Sequence, residues 1–287
     1  MLSNIRHLYD YCTKKSVTVD SLKVPINSEE TSAFSAVPAH WNGRTIIFTH
    51  GLGNDKFYPF TETFMDMLDN SYGIFSIDLN GHGTENTHFL SYPEILSTIP
   101  SAIDFVGERY KINADNIVLF GHSMGGALCL YESEKHSCAG IITVSTPFKI
   151  PDSINNFYES TSIFKTCVAR QLKYYNLYDL VPAAYNFKRN IFPCRVNMSG
   201  KTYIEVATEI LHQVDVLSKI KKPQIPYLQV HGKMDGIISF KQAEQIAEAY
   251  GGSKKFICLE SGTHFSTLFE KKTRLGIRDW LENLFKQ

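Results

Sequence analysis

Along most of this chain, β-type apolar runs alternate with helix-patterned segments, and that rhythm narrows the fold more than any other feature. "RTIIFTH" (Arg44–His50), "YGIFSIDL" (Tyr72–Leu79), "NIVLF" (Asn116–Phe120), "AGIITVS" (Ala139–Ser145), "PYLQVHG" (Pro226–Gly232) and "KKFICLE" (Lys254–Glu260) read as strands. An uninterrupted run such as "RTIIFTH" suits a strand covered on both faces. Between them, "FYPFTETFMDML" (Phe57–Leu68), "YPEILSTIPSAIDFVGERY" (Tyr92–Tyr110), "GGALCLYESE" (Gly125–Glu134) and "KQAEQIAEAYG" (Lys241–Gly251) read as helices, with "LGIRDWLENLFK" (Leu275–Lys286) closing the chain. Alternation of this kind implies a mostly parallel sheet with helices on both sides. Two earlier segments, "SVTVDSLKVPI" and "TSAFSAVPA", add strands, the first alternating as a half-buried strand does.

The rhythm breaks once. Between Phe148 and Lys222 there is no clean strand but a high density of aromatic residues. The expected organisation is therefore a core of residues 1–147 and 223–287, with 148–222 inserted as a mainly helical cap or lid. Aromatics such as Tyr158, Phe164 and Tyr178 suit the lining of an apolar acyl or aryl pocket, and equally suit packing of the cap onto the core.

Charge excludes one class of function. The 287 residues carry 29 basic and 29 acidic side chains, and the paired lysines are scattered. This is not the footprint of a nucleic-acid binder. The opening "MLSNIRHLYDYC" lacks the apolar core of a signal peptide, and no window approaches 18 apolar residues. The six cysteines form no CxxC pair, which argues against zinc and thioredoxin-like chemistry. A cytoplasmic protein with reduced thiols is expected, with Cys129 and Cys258 as small buried apolar residues.

The stretch "LFGHSMGGALCL" (Leu119–Leu130) places Ser123 where strand passes to helix, between Gly121 and Gly125. A sharp strand-to-helix turn lifts one side chain above the sheet, and flanking glycines relieve the crowding it creates. Ser123 in that position suits a nucleophile; its bland reading is a helix N-cap. A nucleophilic serine needs a base, and the base an orienting acid, in the chain order Ser, acid, His. Of ten histidines, His50, His82, His122 and His231 adjoin glycines at turns and stay open as candidates or as hydrogen-bonding props. His264 is favoured because it follows the last strand and closes the required order. Asp235 lies just past the strand "YLQVHG", and its bland reading is an Asx turn beside Gly236. The backbone N–H groups of Leu52, between two glycines after the third strand, and of Met124 are the expected oxyanion donors.

"HGLG" (His50–Gly53), "DLNGHG" (Asp78–Gly83), "GHSMGG" (Gly121–Gly126), "HGKMDGII" (His231–Ile238) and "GTHF" (Gly262–Phe265) occur in one order across residues 40–287. In these pieces the chain resembles the serine α/β-hydrolases, and within them the monoacylglycerol lipase and carboxylesterase group. The resemblance implies an α/β-hydrolase fold, a mostly parallel eight-stranded sheet flanked by helices with the cap inserted after strand six. It also implies a Ser123–Asp235–His264 triad and no metal or organic cofactor. The implied activity is hydrolysis of small-molecule carboxylic esters with hydrophobic acyl or aryl groups. Thioesterase, acyltransferase and C–C hydrolase chemistry are the alternatives on the same triad.

Overall fold

A computed structural model of the protein describes residues 10–52, 54–58, 62–83, 90–134, 138–149, 203–222 and 225–286. Among the described residues there are eight strands: β1 (Val17–Ile26), β2 (Glu29–Pro38), β3 (Thr45–Thr49), β4 (Gly73–Ile77), β5 (Ile117–His122), β6 (Gly140–Val144), β7 (Tyr227–Gly232) and β8 (Lys254–Leu259). They form one sheet in the order β1-β2-β4-β3-β5-β6-β7-β8. The β1–β2 and β2–β4 pairs are antiparallel and the others parallel. Each expected strand is therefore found, and the parallel half begins at β4.

Helices among the described residues include α1 (Glu62–Asp69), α2 (Tyr92–Tyr110), α3 (Met124–Glu132), α4 (Tyr203–Val214), α5 (Val216–Lys219), α6 (Phe240–Ala249) and α7 (Lys271–Leu284). Every residue of β3 to β7 is buried. The pleat sends neighbours to opposite sides. Ile47, Leu119 and Ile141 join one apolar cluster with residues of α2 and α3. Ile46, Val118, Phe120 and Ile142 join another with residues of α1 and α7. At 20–33 cal/mol per Å² of apolar surface, this double coverage is the main source of stability.

Helices α4 and α5 belong to the first cluster. Ala207, Ile210, Leu211 and Val214 recur at the i, i+3, i+4, i+7 spacing of one helix face and are buried with Met124, Ala127 and Leu128. The expected pocket aromatics Tyr158, Phe164 and Tyr178 lie outside the described residues. Among the described residues no helix is long and apolar enough to cross a membrane.

Two local expectations are corrected. The helix expected from Phe57 has its described part from Glu62, because Phe57 and Tyr58 stand in a turn. There the Phe57 N–H donates to Asp55 Oδ1 at 2.9 Å and the Tyr58 N–H to the Asp55 carbonyl at 3.0 Å, an Asx turn that competes with helix. Cys258 is only half-buried, whereas Cys129 is fully buried. The difference follows from sheet order, since β8 is an edge strand.

Candidate active site

The carboxyl ends of β3, β5, β7 and β8 lie along one end of the sheet and are followed by Leu52, Ser123 and Met124, Asp235, and His264. Ser123 sits between β5 and α3 with φ 53° and ψ −122°, a backbone that L side chains rarely adopt and that neighbouring structure must hold. The glycines are required by contact. A Cβ on Gly121 would lie 2.4 Å from Gly125 backbone atoms, and one on Gly125 would lie 2.1 Å from the Thr49 carbonyl oxygen. The turn thus presses α3 against β3. Ser123 occupies the N-cap position of α3, yet its hydroxyl makes no cap hydrogen bond. Instead its Oγ stands 3.1 Å from His264 Nε2.

The other His264 nitrogen, Nδ1, is 2.9 Å from Asp235 Oδ2. Asp235 Oδ1 accepts the N–H groups of Ile237 and Ile238 at 2.9 and 2.8 Å. The Asx turn and the partnership with His264 are therefore both real, one on each oxygen. Burial alone would push this carboxyl up. Electrostatic attraction to His264 and its hydrogen bond, with His231 and the Ile238 N–H behind them, outweigh it and hold Asp235 below the usual carboxylate range.

Loop contacts bring the two partners together. A Cβ on Gly232 would lie 1.9 Å from the Gly262 carbonyl oxygen, so the chains leaving β7 and β8 touch. The Met234 N–H donates to the Gly262 carbonyl at 3.0 Å. Thr267 Oγ1 donates to the Thr263 carbonyl at 2.6 Å, and Ser266 Oγ accepts the Thr263 N–H at 2.9 Å. His122 Nε2–H donates to the backbone carbonyl of His264 at 3.0 Å.

The turn histidines are props. His50 donates from Nδ1 to the Gly51 carbonyl at 2.8 Å and accepts the Leu79 N–H at Nε2 at 3.0 Å. His82 donates from Nδ1 to the Asn80 carbonyl, and His231 from Nε2 to the Ile238 carbonyl. Burial pushes His231 down, and drives His122 down to about 3 together with the nearby His264. Both stay neutral donors at neutral pH.

Gly51 packs directly on the elbow: a Cβ there would lie 2.9 Å from Ser123 Cβ. Leu52 follows in the same turn, and among the described residues its N–H donates to no backbone carbonyl. Met124 opens α3, so its N–H is one of the four that a helix leaves without an internal acceptor. Two N–H groups are thus left to loops that meet at the serine. Among the described residues no group of three His, Cys, Asp or Glu side chains is placed to hold a metal.

One feature was not legible in the sequence. Lys56 is 2% exposed and its Nζ lies 3.0 Å from Oδ2 of Asp78, itself fully buried. Asp78 belongs to the quoted "DLNGHG", but a lysine in the polar stretch "GNDKF" reads as solvated surface.

Comparison with known proteins gives consistent matches. The family described as serine aminopeptidase, S33 matches residues 42–272. A putative esterase/lipase of Mycoplasma genitalium is 26% identical over 238 residues, covering 72% of this chain and 82% of that protein. Protein phosphatase methylesterase 1 of Schizosaccharomyces pombe is 30% identical over 95 residues, 31% of this chain and only 28% of that protein's length. Among solved structures, the enol-lactonase of Burkholderia xenovorans superposes with a TM-score of 0.66 at 15% identity, covering 93% of this chain and all of that one.

Proposed function

Given that the chain belongs to the serine aminopeptidase S33 family, within the serine α/β-hydrolase superfamily, we propose that it is a serine esterase acting through Ser123, His264 and Asp235. The observation that carries the proposal is the unbroken hydrogen-bonded chain from Ser123 Oγ through both imidazole nitrogens of His264 to Asp235 Oδ2, at 3.1 and 2.9 Å.

In this reading His264 Nε2 takes the Ser123 proton as Oγ attacks the ester carbonyl. The acyl–oxygen bond to the alcohol breaks as His264 returns that proton to the leaving oxygen. Water then enters by the reverse sequence and frees the acid and Ser123. Asp235 holds the imidazole with Nδ1 protonated and stabilises the imidazolium that forms. The Leu52 and Met124 N–H groups receive the oxyanion, where one donor is typically worth about 10²–10³ in rate.

Among the described residues, the carboxylates at the site favour ester substrates over N-terminal peptides. An aminopeptidase must hold a substrate ammonium group. The carboxylates after β4 and β7, Asp78 and Asp235, are both buried and bonded to protein groups. The esterase named among the relatives above points the same way.

We assign the catalytic core to residues 1–147 and 223–287, and the cap to 148–222. Tyr158, Phe164 and Tyr178 are assigned to an apolar pocket for acyl or aryl groups of a small-molecule substrate, in a cytoplasmic enzyme without cofactor. Ser123→Ala should abolish labelling by a fluorophosphonate and lower p-nitrophenyl ester turnover by about 10⁴–10⁶. Undiminished turnover would end the assignment. Matched esters, thioesters and aminoacyl amides then separate the ester reading from thioesterase and peptidase chemistry on the same triad.

A further inference from the structure

We propose that the buried Lys56–Asp78 pair positions the Leu52 oxyanion donor by tying the loop after β3 to the end of β4. The inference rests on the serine esterase reading above.

The loop that carries Leu52 is anchored on both sides of it. On the near side, the Gly51 carbonyl accepts from His50 Nδ1 at 2.8 Å and from the Asn54 N–H at 3.1 Å, while His50 Nε2 accepts the Leu79 N–H at 3.0 Å. On the far side, a single residue is held three times. The Lys56 N–H donates to Asp78 Oδ1 at 2.6 Å, its ammonium donates to Asp78 Oδ2 at 3.0 Å, and its carbonyl accepts from Ser76 Oγ at 2.6 Å. The anchors that reach outside the loop, Ser76, Asp78 and Leu79, all lie at or just past the end of β4.

Asp78 itself cannot swing. Its N–H donates to the Ser32 carbonyl at 2.9 Å and its own carbonyl accepts from Thr31 Oγ1 at 3.0 Å. Gly83 lies so close that a Cβ there would be 2.0 Å from Oδ2. The Lys56 ammonium also lies 4.9 Å from the Phe57 ring centre, and that ring stacks on Phe34 of β2 at 5.3 Å.

Stability alone is a poor reason for such a pair. Taking both charges out of water costs about what their attraction returns, and apolar residues of the same volume commonly do as well. What the pair supplies is direction. Both carboxylate oxygens engage one residue, which fixes that residue's backbone as well as its side chain. A donor displaced by about 1 Å costs about 10²-fold in rate, so stiffness of this loop has a catalytic consequence.

The test is Lys56→Met, which keeps the length and the backbone N–H and removes the ammonium. Rates on p-nitrophenyl butyrate are normalised to the serine titrated by a fluorophosphonate. We expect kcat per titrated site to fall about 10–100-fold with KM within about twofold. Affinity for a trifluoromethyl ketone, which binds as an oxyanion, should fall by a like factor, and affinity for the matching methyl ketone should not change. Ser76→Ala, which removes an anchor from outside the pair, should show the same signature more weakly and carries the test if Lys56→Met does not fold. A folded variant with kcat per site and trifluoromethyl ketone affinity at wild-type values overturns the inference. So does a loss confined to the number of titratable sites, which is what a merely structural role would produce. If wild type is labelled at Ser123 and loses activity as Ser123→Ala, those outcomes sink this inference alone; an unlabelled wild type sinks the esterase reading itself.

Discussion

Asp235 divides its two oxygens between two tasks, the turn after β7 and the Nδ1–H of His264. An asparagine there keeps the volume and can still serve the turn. If its amide faces His264 it donates where the carboxylate accepted, and the imidazole proton moves to Nε2, facing the serine it should deprotonate. Asp235→Asn is therefore expected to fold normally and to lose about 10⁴ in kcat; ester turnover with a thermal melt of the same sample checks this. A loss below about tenfold would remove Asp235 from the proposed relay. His122 illustrates a different use of a histidine. It is buried and neutral, and it holds His264, the proposed base, by its backbone carbonyl.

The strand-to-helix joint is built from backbone contact, so its glycines should be the least replaceable of the element. In Gly125→Ala the new methyl meets the carbonyl oxygens of Thr49 and His50 at 2.1 and 2.6 Å. Both belong to backbone at the end of β3, so neither yields cheaply, and a loss of at least about 3 kcal/mol in urea unfolding is expected. Gly107, inside α2, is the contrast. Its added methyl would meet only the Ile112 carbonyl oxygen, at 3.4 Å. Gly107→Ala should stabilise by about 0.5–1 kcal/mol through helix propensity and a less flexible unfolded chain. If the two substitutions cost the same, the elbow is not close-packed as described.

Across the whole molecule, two buried carboxyls oppose each other in their response to pH. Burial pushes Asp78 up to about 6, with Lys56 pulling down against it and Asp55 adding to the rise. Between about pH 4 and 6 the folded protein therefore keeps a proton that the unfolded chain has released. Stability from this group is fully present below pH 4 and declines as pH rises to 6, by on the order of 2–3 kcal/mol. Asp235 is lowered, so its contribution is present above the ordinary carboxylate range and is lost as pH falls through its folded value. In urea titrations, the stability of wild type relative to Asp78→Asn should shrink between pH 4 and 7. A difference that grows with pH would mean that the Lys56 charge prevails over burial at Asp78.

The order of strands and helices, the glycine-boxed serine and the loops that carry Asp235 and His264 could all be read from the sequence, because strand runs, helix spacing and turn chemistry are local. The boundaries of α2 and of the parallel strands follow for the same reason. What tertiary structure alone decided was which groups meet and which are buried. It brought His264, which the sequence already favoured, within hydrogen-bond distance of Ser123 and Asp235, left Cys258 half-exposed by placing β8 at the sheet edge, and buried Lys56 against Asp78. A side chain's charge environment depends on what packs against it from distant parts of the chain, and spacing along the chain does not encode that.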